Sequence, residues 1–89
     1  MKTMKLLISA LALFLIHGVL QAQVTQGNKA YDRMAYKQAA GYYEQALKKD
    51  SSDMAVWGKL GVCYRNLNDA RNAERAFGKV VNSGTSNTN

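Results

Sequence analysis

Residues Asp53–Val81 read DMAVWGKLGVCYRNLNDARNAERAFGKVV. Trp57, Leu60, Tyr64 and Leu67 recur there at three- and four-residue steps, which predicts one apolar face on a helix from about Asp53 to Asn66. Ser52 or Asp53 suits its N-cap, because a short side-chain oxygen can accept from a free backbone N–H. Asn68-Asp69 is a turn signal for the same reason, since short polar side chains satisfy local backbone groups. Ala70, Ala73, Ala76, Phe77, Val80 and Val81 then mark a second helical stripe, expected to end near Ser83-Gly84. Glycine commonly follows a helix end because it accepts the left-handed conformation.

The pattern occurs twice. Sliding the sequence on itself by 34 places aligns Gly27 with Gly61, Ala39 with Ala73, Tyr43 with Phe77 and Ala46 with Val80, each pair keeping its size class. The first copy predicts a helix from about Thr25 to Met34 and another from about Lys37 to Lys49, joined near Ala35-Tyr36. The apolar face of the second of these is Ala39, Tyr42/Tyr43, Ala46 and Leu47, and Asp50-Ser51-Ser52 closes it. Lys48 and Lys49 sit at its C-terminal end, where the helix dipole favours positive charge. Gly61 with Ala73, and Gly27 with Ala39, are expected where the two helices of a unit cross, with Tyr64 and Phe77 filling the flanks. A glycine inside a helix costs about 1 kcal/mol against alanine, so its return at one repeat slot points to close packing that compensates.

Trp57, Leu60, Gly61 and Tyr64 stand in the order W-x-x-L-G-x-x-Y, with Ala73 and Phe77 further on. At these residues the chain resembles the tetratricopeptide repeat family, a helix–turn–helix unit of 34 residues, from about Gln23 to Thr85. The resemblance implies an all-α fold of two such repeats, four antiparallel helices, after a cleavable signal helix. Residues 23–52 would form the first repeat, 53–85 the second, and 86–89 a disordered tail. Gly27, Ala39, Tyr43, Ala46, Trp57, Leu60, Gly61, Tyr64, Ala73, Phe77 and Val80 would pack the repeats together. Gln23 and Gln26 stand where the second copy has Trp57 and Leu60, as suits an N-terminal edge that faces solvent. Such arrays usually need about three repeats to be stable alone, and nothing after Val81 in this sequence covers Phe77, Val80 and Val81. A marginal monomer that dimerises or docks onto a partner is therefore expected.

The N-terminus has a different composition. Met1–Lys5 carries two lysines and no acid; Leu6–Leu20 is the uncharged run LLISALALFLIHGVL; Gln21-Ala22 follows. A basic start, a short apolar middle and a small exit residue are the three parts of a secretory signal, and a bilayer-spanning helix needs roughly 20 apolar residues. Residues 1–22 are thus expected to be a signal peptide cleaved before Gln23. Gly18 is expected to weaken the helical end of that run.

Export revises the charge. The 89-residue chain has twelve Lys+Arg against six Asp+Glu, a formal +6, and loss of Lys2 and Lys5 leaves +4. His17, the only histidine, would leave with the signal, removing imidazole acid–base and Cys–His chemistry. Cys63 is the single cysteine, which excludes an internal disulfide and reads as a small buried hydrophobe. Gly58-Lys59 and Gly78-Lys79 lack the Ser/Thr and upstream glycine of a phosphate loop. No nucleophile–base pair and no metal-ligand cluster appears, so no enzyme, no cofactor and no metal are expected. The +4 reads as scattered through both helices of each unit, interleaved with Asp32, Glu44, Asp50, Asp53, Asp69 and Glu74, which argues against nucleic acid as a partner.

The resemblance implies a protein or peptide segment as partner, bound along a concave face lined by the first helix of each unit. By that mapping the face takes Asn28, Tyr31 and Asp32 from the first copy, and Ala55, Gly58, Val62, Arg65 and Asn66 from the second. Tyr31 and Arg65 are its expected anchors, since aromatic and arginine side chains dominate hot spots. Membrane contact is expected only through the signal segment. The run KAYDRMAYKQAAGYYEQALKKD and the second copy also look like the start of larger envelope proteins, in which repeats precede an OmpA-like peptidoglycan-binding domain, some of them associated with type IX secretion. The expected function is a non-enzymatic interaction module in the periplasm or on the periplasmic face of the outer membrane. The alternative is the N-terminal fragment of an OmpA-like protein that self-associates through its uncapped C-terminal face.

Overall fold

The computed structural model describes residues 18–86 and is all-helical there, with no strand among them. Helix α1 covers residues 18–32, α2 Tyr36–Lys49, α3 Met54–Asn66 and α4 Ala70–Ser86. The basic start and most of the apolar run of the expected signal lie outside the described residues, as do residues 87–89 of the expected tail.

Helix α1 extends further toward the N-terminus than the expected Thr25 start. It passes through Gly18 and across the Ala22–Gln23 junction without a break. The apolar spacing explains the extension: Leu20, Val24 and Gly27 continue the face of Tyr31 backward in steps of four, three and four. Leu20 and Val24 line a cleft of about 190 Å³ with Ala46, Leu47 and Val56. The expected Met34 end also shifts, to residue 32, because Met34 is left-handed with φ 63°. There the Met34 N–H donates to the Tyr31 carbonyl at 2.9 Å and the Ala35 N–H to the Ala30 carbonyl at 2.8 Å. These two bonds make a Schellman motif.

The end of α3 repeats the device. Asn68 has φ 59°, its N–H donates to the Arg65 carbonyl at 3.1 Å, and the Asp69 N–H donates to the Tyr64 carbonyl at 2.9 Å. Leu67, expected on the apolar face of α3, instead follows the helix as its C-cap and is 40% exposed. The helix ends at Asn66, so Leu67 leaves the helical spacing that places Trp57, Leu60 and Tyr64 on one face.

Asp53 is the N-cap of α3, its carboxylate accepting from the Ala55 and Val56 N–H groups. Ser52 is not the cap; its N–H and Oγ both donate to Asp50 in the turn before it. At the start of α4 the Asp69 carboxylate accepts from the Asn72 N–H at 3.2 Å. Gly84 does not end α4, which runs on to Ser86, and no described glycine has a positive φ. Glycine permits a left-handed residue without imposing one.

The helices alternate in direction. Gln23 bonds Gln45 and Arg33 bonds Gln38 across α1 and α2, an antiparallel pairing. The core is built of small residues around a few large ones. Tyr43, Leu60 and Cys63 are the largest fully buried side chains; Ala30, Ala39 and Ala76 are wholly buried, and Trp57 is nearly so. Tyr43 rather than Tyr42 occupies the core face of α2, with Tyr42 38% exposed. The Trp57 indole N–H reaches the Ser51 carbonyl at 2.9 Å, so its polar edge is satisfied in the turn between α2 and α3.

Both repeat-slot glycines are buried, and what fills the space beside them is an aromatic ring. A β-carbon on Gly61 would stand 2.6 Å from the Phe77 ring, and one on Gly27 2.6 Å from the Tyr43 ring. The aromatic ring expected on the flank of the Gly61–Ala73 crossing, that of Phe77, lies directly on Gly61. Ala73 is buried as well, at 7% exposed.

Candidate binding face

Helices α1 and α3 meet around Asn28. Its Oδ1 accepts from the Tyr43 hydroxyl at 2.6 Å and from Lys59 Nζ at 3.0 Å. The Lys59 ammonium also lies 5.4 Å from the centre of the Tyr31 ring, within cation–π range. Tyr31 is fixed in turn by two edge contacts, to Tyr36 at 5.9 Å and to Tyr43 at 6.5 Å between ring centres. An amide, an aromatic ring and an ammonium are thus held in one place by a rigid support.

The support is apolar and buried. Tyr43 has no exposed surface, and burial, more than the neighbouring Cys63, Tyr31 and Asp32, pushes its phenol well above its ordinary value. It therefore stays a hydrogen-bond donor to Asn28 throughout the physiological range. Lys59 has three donors and gives one to Asn28, which leaves N–H groups for an incoming carbonyl or carboxylate.

The remaining mapped residues add no hydrogen bond or ring contact to this cluster. Gly58, half-buried, has nothing within 4 Å of where a β-carbon would be, so the surface beside Lys59 is open. Val62 is half-buried, Ala55 and Asp32 are exposed, and exposed Asn66 donates its amide N–H to the Val62 carbonyl at 2.8 Å. Arg65 turns toward α4, its guanidinium 5.9 Å from the Phe77 ring centre, and does not join Tyr31. The structure thus brings Asn28 and Tyr31 together around a residue that sequence reading passed over. Lys59 was weighed only as part of a phosphate loop; its slot in the first copy is Thr25, so the repeat carried no signal for it.

The Cys63 thiol is wholly buried, and burial raises it to about 11, so it is no thiolate nucleophile at neutral pH. Among the described residues no group of three His, Cys, Asp or Glu side chains is placed to hold a metal ion, and no helix is long and apolar enough to cross a membrane. Comparison with protein-family models, with curated proteins and with solved structures finds no match to this chain.

Proposed function

We propose that the chain is an exported tetratricopeptide-type module that binds a protein or peptide segment in the bacterial cell envelope and catalyses nothing. The observation that carries this reading is the Asn28–Lys59–Tyr31 cluster, where the first helices of both copies contribute to one polar, aromatic and cationic spot. The repeat of Gly27–Tyr43 packing at Gly61–Phe77, 34 residues on, supports the repeat family. The signal-like start supports export to the periplasm or the periplasmic face of the outer membrane.

The test is capture from envelope extract with the tagged protein. A discrete partner retained by the wild type and lost on Lys59→Ala or Tyr31→Ala supports the module; equal capture by both variants overturns this face. A second reading has its own observation. Val81 is 61% exposed on α4, beyond half-buried Phe77 and Val80, which favours self-association through that face. Capture of its own copies alone, weakened by Val81→Asp, supports that reading instead.

A further inference from the structure

The described charges are not spread evenly once the helices are in place. Helices α2 and α4 carry Lys37, Lys48, Lys49, Arg71, Arg75 and Lys79 against Glu44 and Glu74 only. In the rest of the described chain, four cations (Lys29, Arg33, Lys59, Arg65) meet four carboxylates (Asp32, Asp50, Asp53, Asp69). The whole excess of positive charge therefore belongs to the second helix of each hairpin, which corrects the reading of a scattered charge.

The excess is also gathered into stripes. Arg71, Arg75 and Lys79 follow at steps of four along α4, all exposed. Lys37, Gly41, Glu44 and Lys48 follow at steps of four, three and four along α2, with both lysines exposed. Glu44 bonds Arg75 across the two helices and links the stripes at that point, while Arg75 and Lys79 also lie 5.7 Å from the centre of the Trp57 ring of α3. That carboxylate is shared between Arg75 and the Tyr64 hydroxyl, and among these five cations it is bonded to Arg75 alone. Gly41 and Gly78, one on each helix, have nothing within 4 Å of a β-carbon position, so the space beside each is open. At about 1.5 Å per residue, the charges extend roughly 17 Å along α2, from Lys37 to Lys48, and roughly 12 Å along α4, from Arg71 to Lys79.

We infer that the outer face of α2 and α4 docks on an anionic phospholipid surface. Exposed point charges on neighbouring turns match a sheet of anionic headgroups; a peptide would need pockets, and base recognition would need groups that read edges. This face is distinct from the Lys59 cluster between α1 and α3, so failure of one leaves the other untouched.

The experiment is co-sedimentation of the purified full chain with phosphatidylcholine vesicles containing phosphatidylglycerol, and with phosphatidylcholine alone. Binding to the anionic vesicles only, abolished by molar salt, is the expected result. Each cation near such a surface contributes about a fivefold gain in partition, so Lys37→Gln, Lys48→Gln, Arg71→Gln and Lys79→Gln together reduce binding on the order of several-hundredfold. The control set Lys29→Gln, Arg33→Gln and Arg65→Gln lowers net charge elsewhere and leaves most binding in place. Equal loss in both sets, equal binding to neutral vesicles, or binding to single-stranded DNA but not to vesicles each overturns the inference. Circular dichroism of each variant keeps misfolding from counting as loss of the face.

Discussion

The Phe77 ring lies on Gly61 so closely that a β-carbon there would come within 2.6 Å of it, and Tyr43 lies on Gly27 in the same way 34 residues earlier. The two sites differ in how far the ring can yield. Phe77 is half-buried, whereas Tyr43 is wholly buried and tied to Asn28. Alanine gains about 1 kcal/mol in helix propensity over glycine, but overpacking costs about 1–3 kcal/mol. Gly27→Ala is therefore expected to lower stability by about 1–2 kcal/mol, and Gly61→Ala by less. Gly41→Ala, with open space around it, is expected to raise stability by about 0.5–1 kcal/mol. Urea melts of the three variants give the order directly, and a Gly27→Ala protein as stable as the wild type would refute the packing argument.

Met34 holds a left-handed conformation that its side chain disfavours, and it is 74% exposed, so little packing repays the strain. A non-glycine residue in that region costs roughly 1–2 kcal/mol. Met34→Gly is accordingly expected to stabilise the protein by up to about 1 kcal/mol, part of the gain being offset by the freer unfolded chain. The equivalent position, Asn68, already has a residue type that tolerates the conformation, so Asn68→Ala is expected to destabilise. Opposite signs in thermal melts of the two variants are the signature.

That pair also shows what could be read in the sequence and what could not. The repeat spacing and helical stripes located three of the four helices to within a few residues, because apolar periodicity records which face is buried. Asn68 announced its turn through its own chemistry. Met34 did not, since nothing in a methionine marks a left-handed residue; only its 34-residue alignment with Asn68 carried that information. The reach of α1 back to residue 18 was hidden by the composition of the apolar run, which masked the spacing of Leu20 and Val24. Lys59 escaped notice because its role depends on the approach of α1 and α3, a contact between helices that no local pattern encodes.

Cys63 links stability to alkaline pH. Burial raises its thiol to about 11, against roughly 8.5 in an unfolded chain. A raised acid binds its proton more tightly in the folded state, so its stabilising contribution is complete below about pH 8.5 and is lost as pH rises toward 11. Between pH 8 and 10 the wild type should lose stability faster than Cys63→Ala, although the alanine protein starts lower for want of the sulfur's packing. Parallel slopes in denaturant melts across that range would show that the thiol does not titrate as its burial requires.

Glu44 joins three helices, accepting at one oxygen from the Tyr64 hydroxyl of α3 at 2.8 Å and from Arg75 of α4. The two bonds should differ in worth. Arg75 and Glu44 are 43% and 29% exposed at their side chains, so solvent and salt screen their attraction and a coupling of no more than about 1 kcal/mol is expected. Burial, and then the bond to Glu44, raises the Tyr64 phenol to about 12, so the hydroxyl remains a donor to a charged acceptor, a bond of roughly 1.5–3 kcal/mol. Double-mutant cycles of Glu44→Gln with Tyr64→Phe and with Arg75→Gln separate the two, and only the arginine coupling should fade in molar salt. Because Arg75 also lies 5.7 Å from the centre of the Trp57 ring, its removal should shift the tryptophan emission while Tyr64→Phe leaves it in place. An arginine coupling larger than that of the tyrosine would mean that charge, rather than the half-buried hydroxyl, fastens α2 to its neighbours.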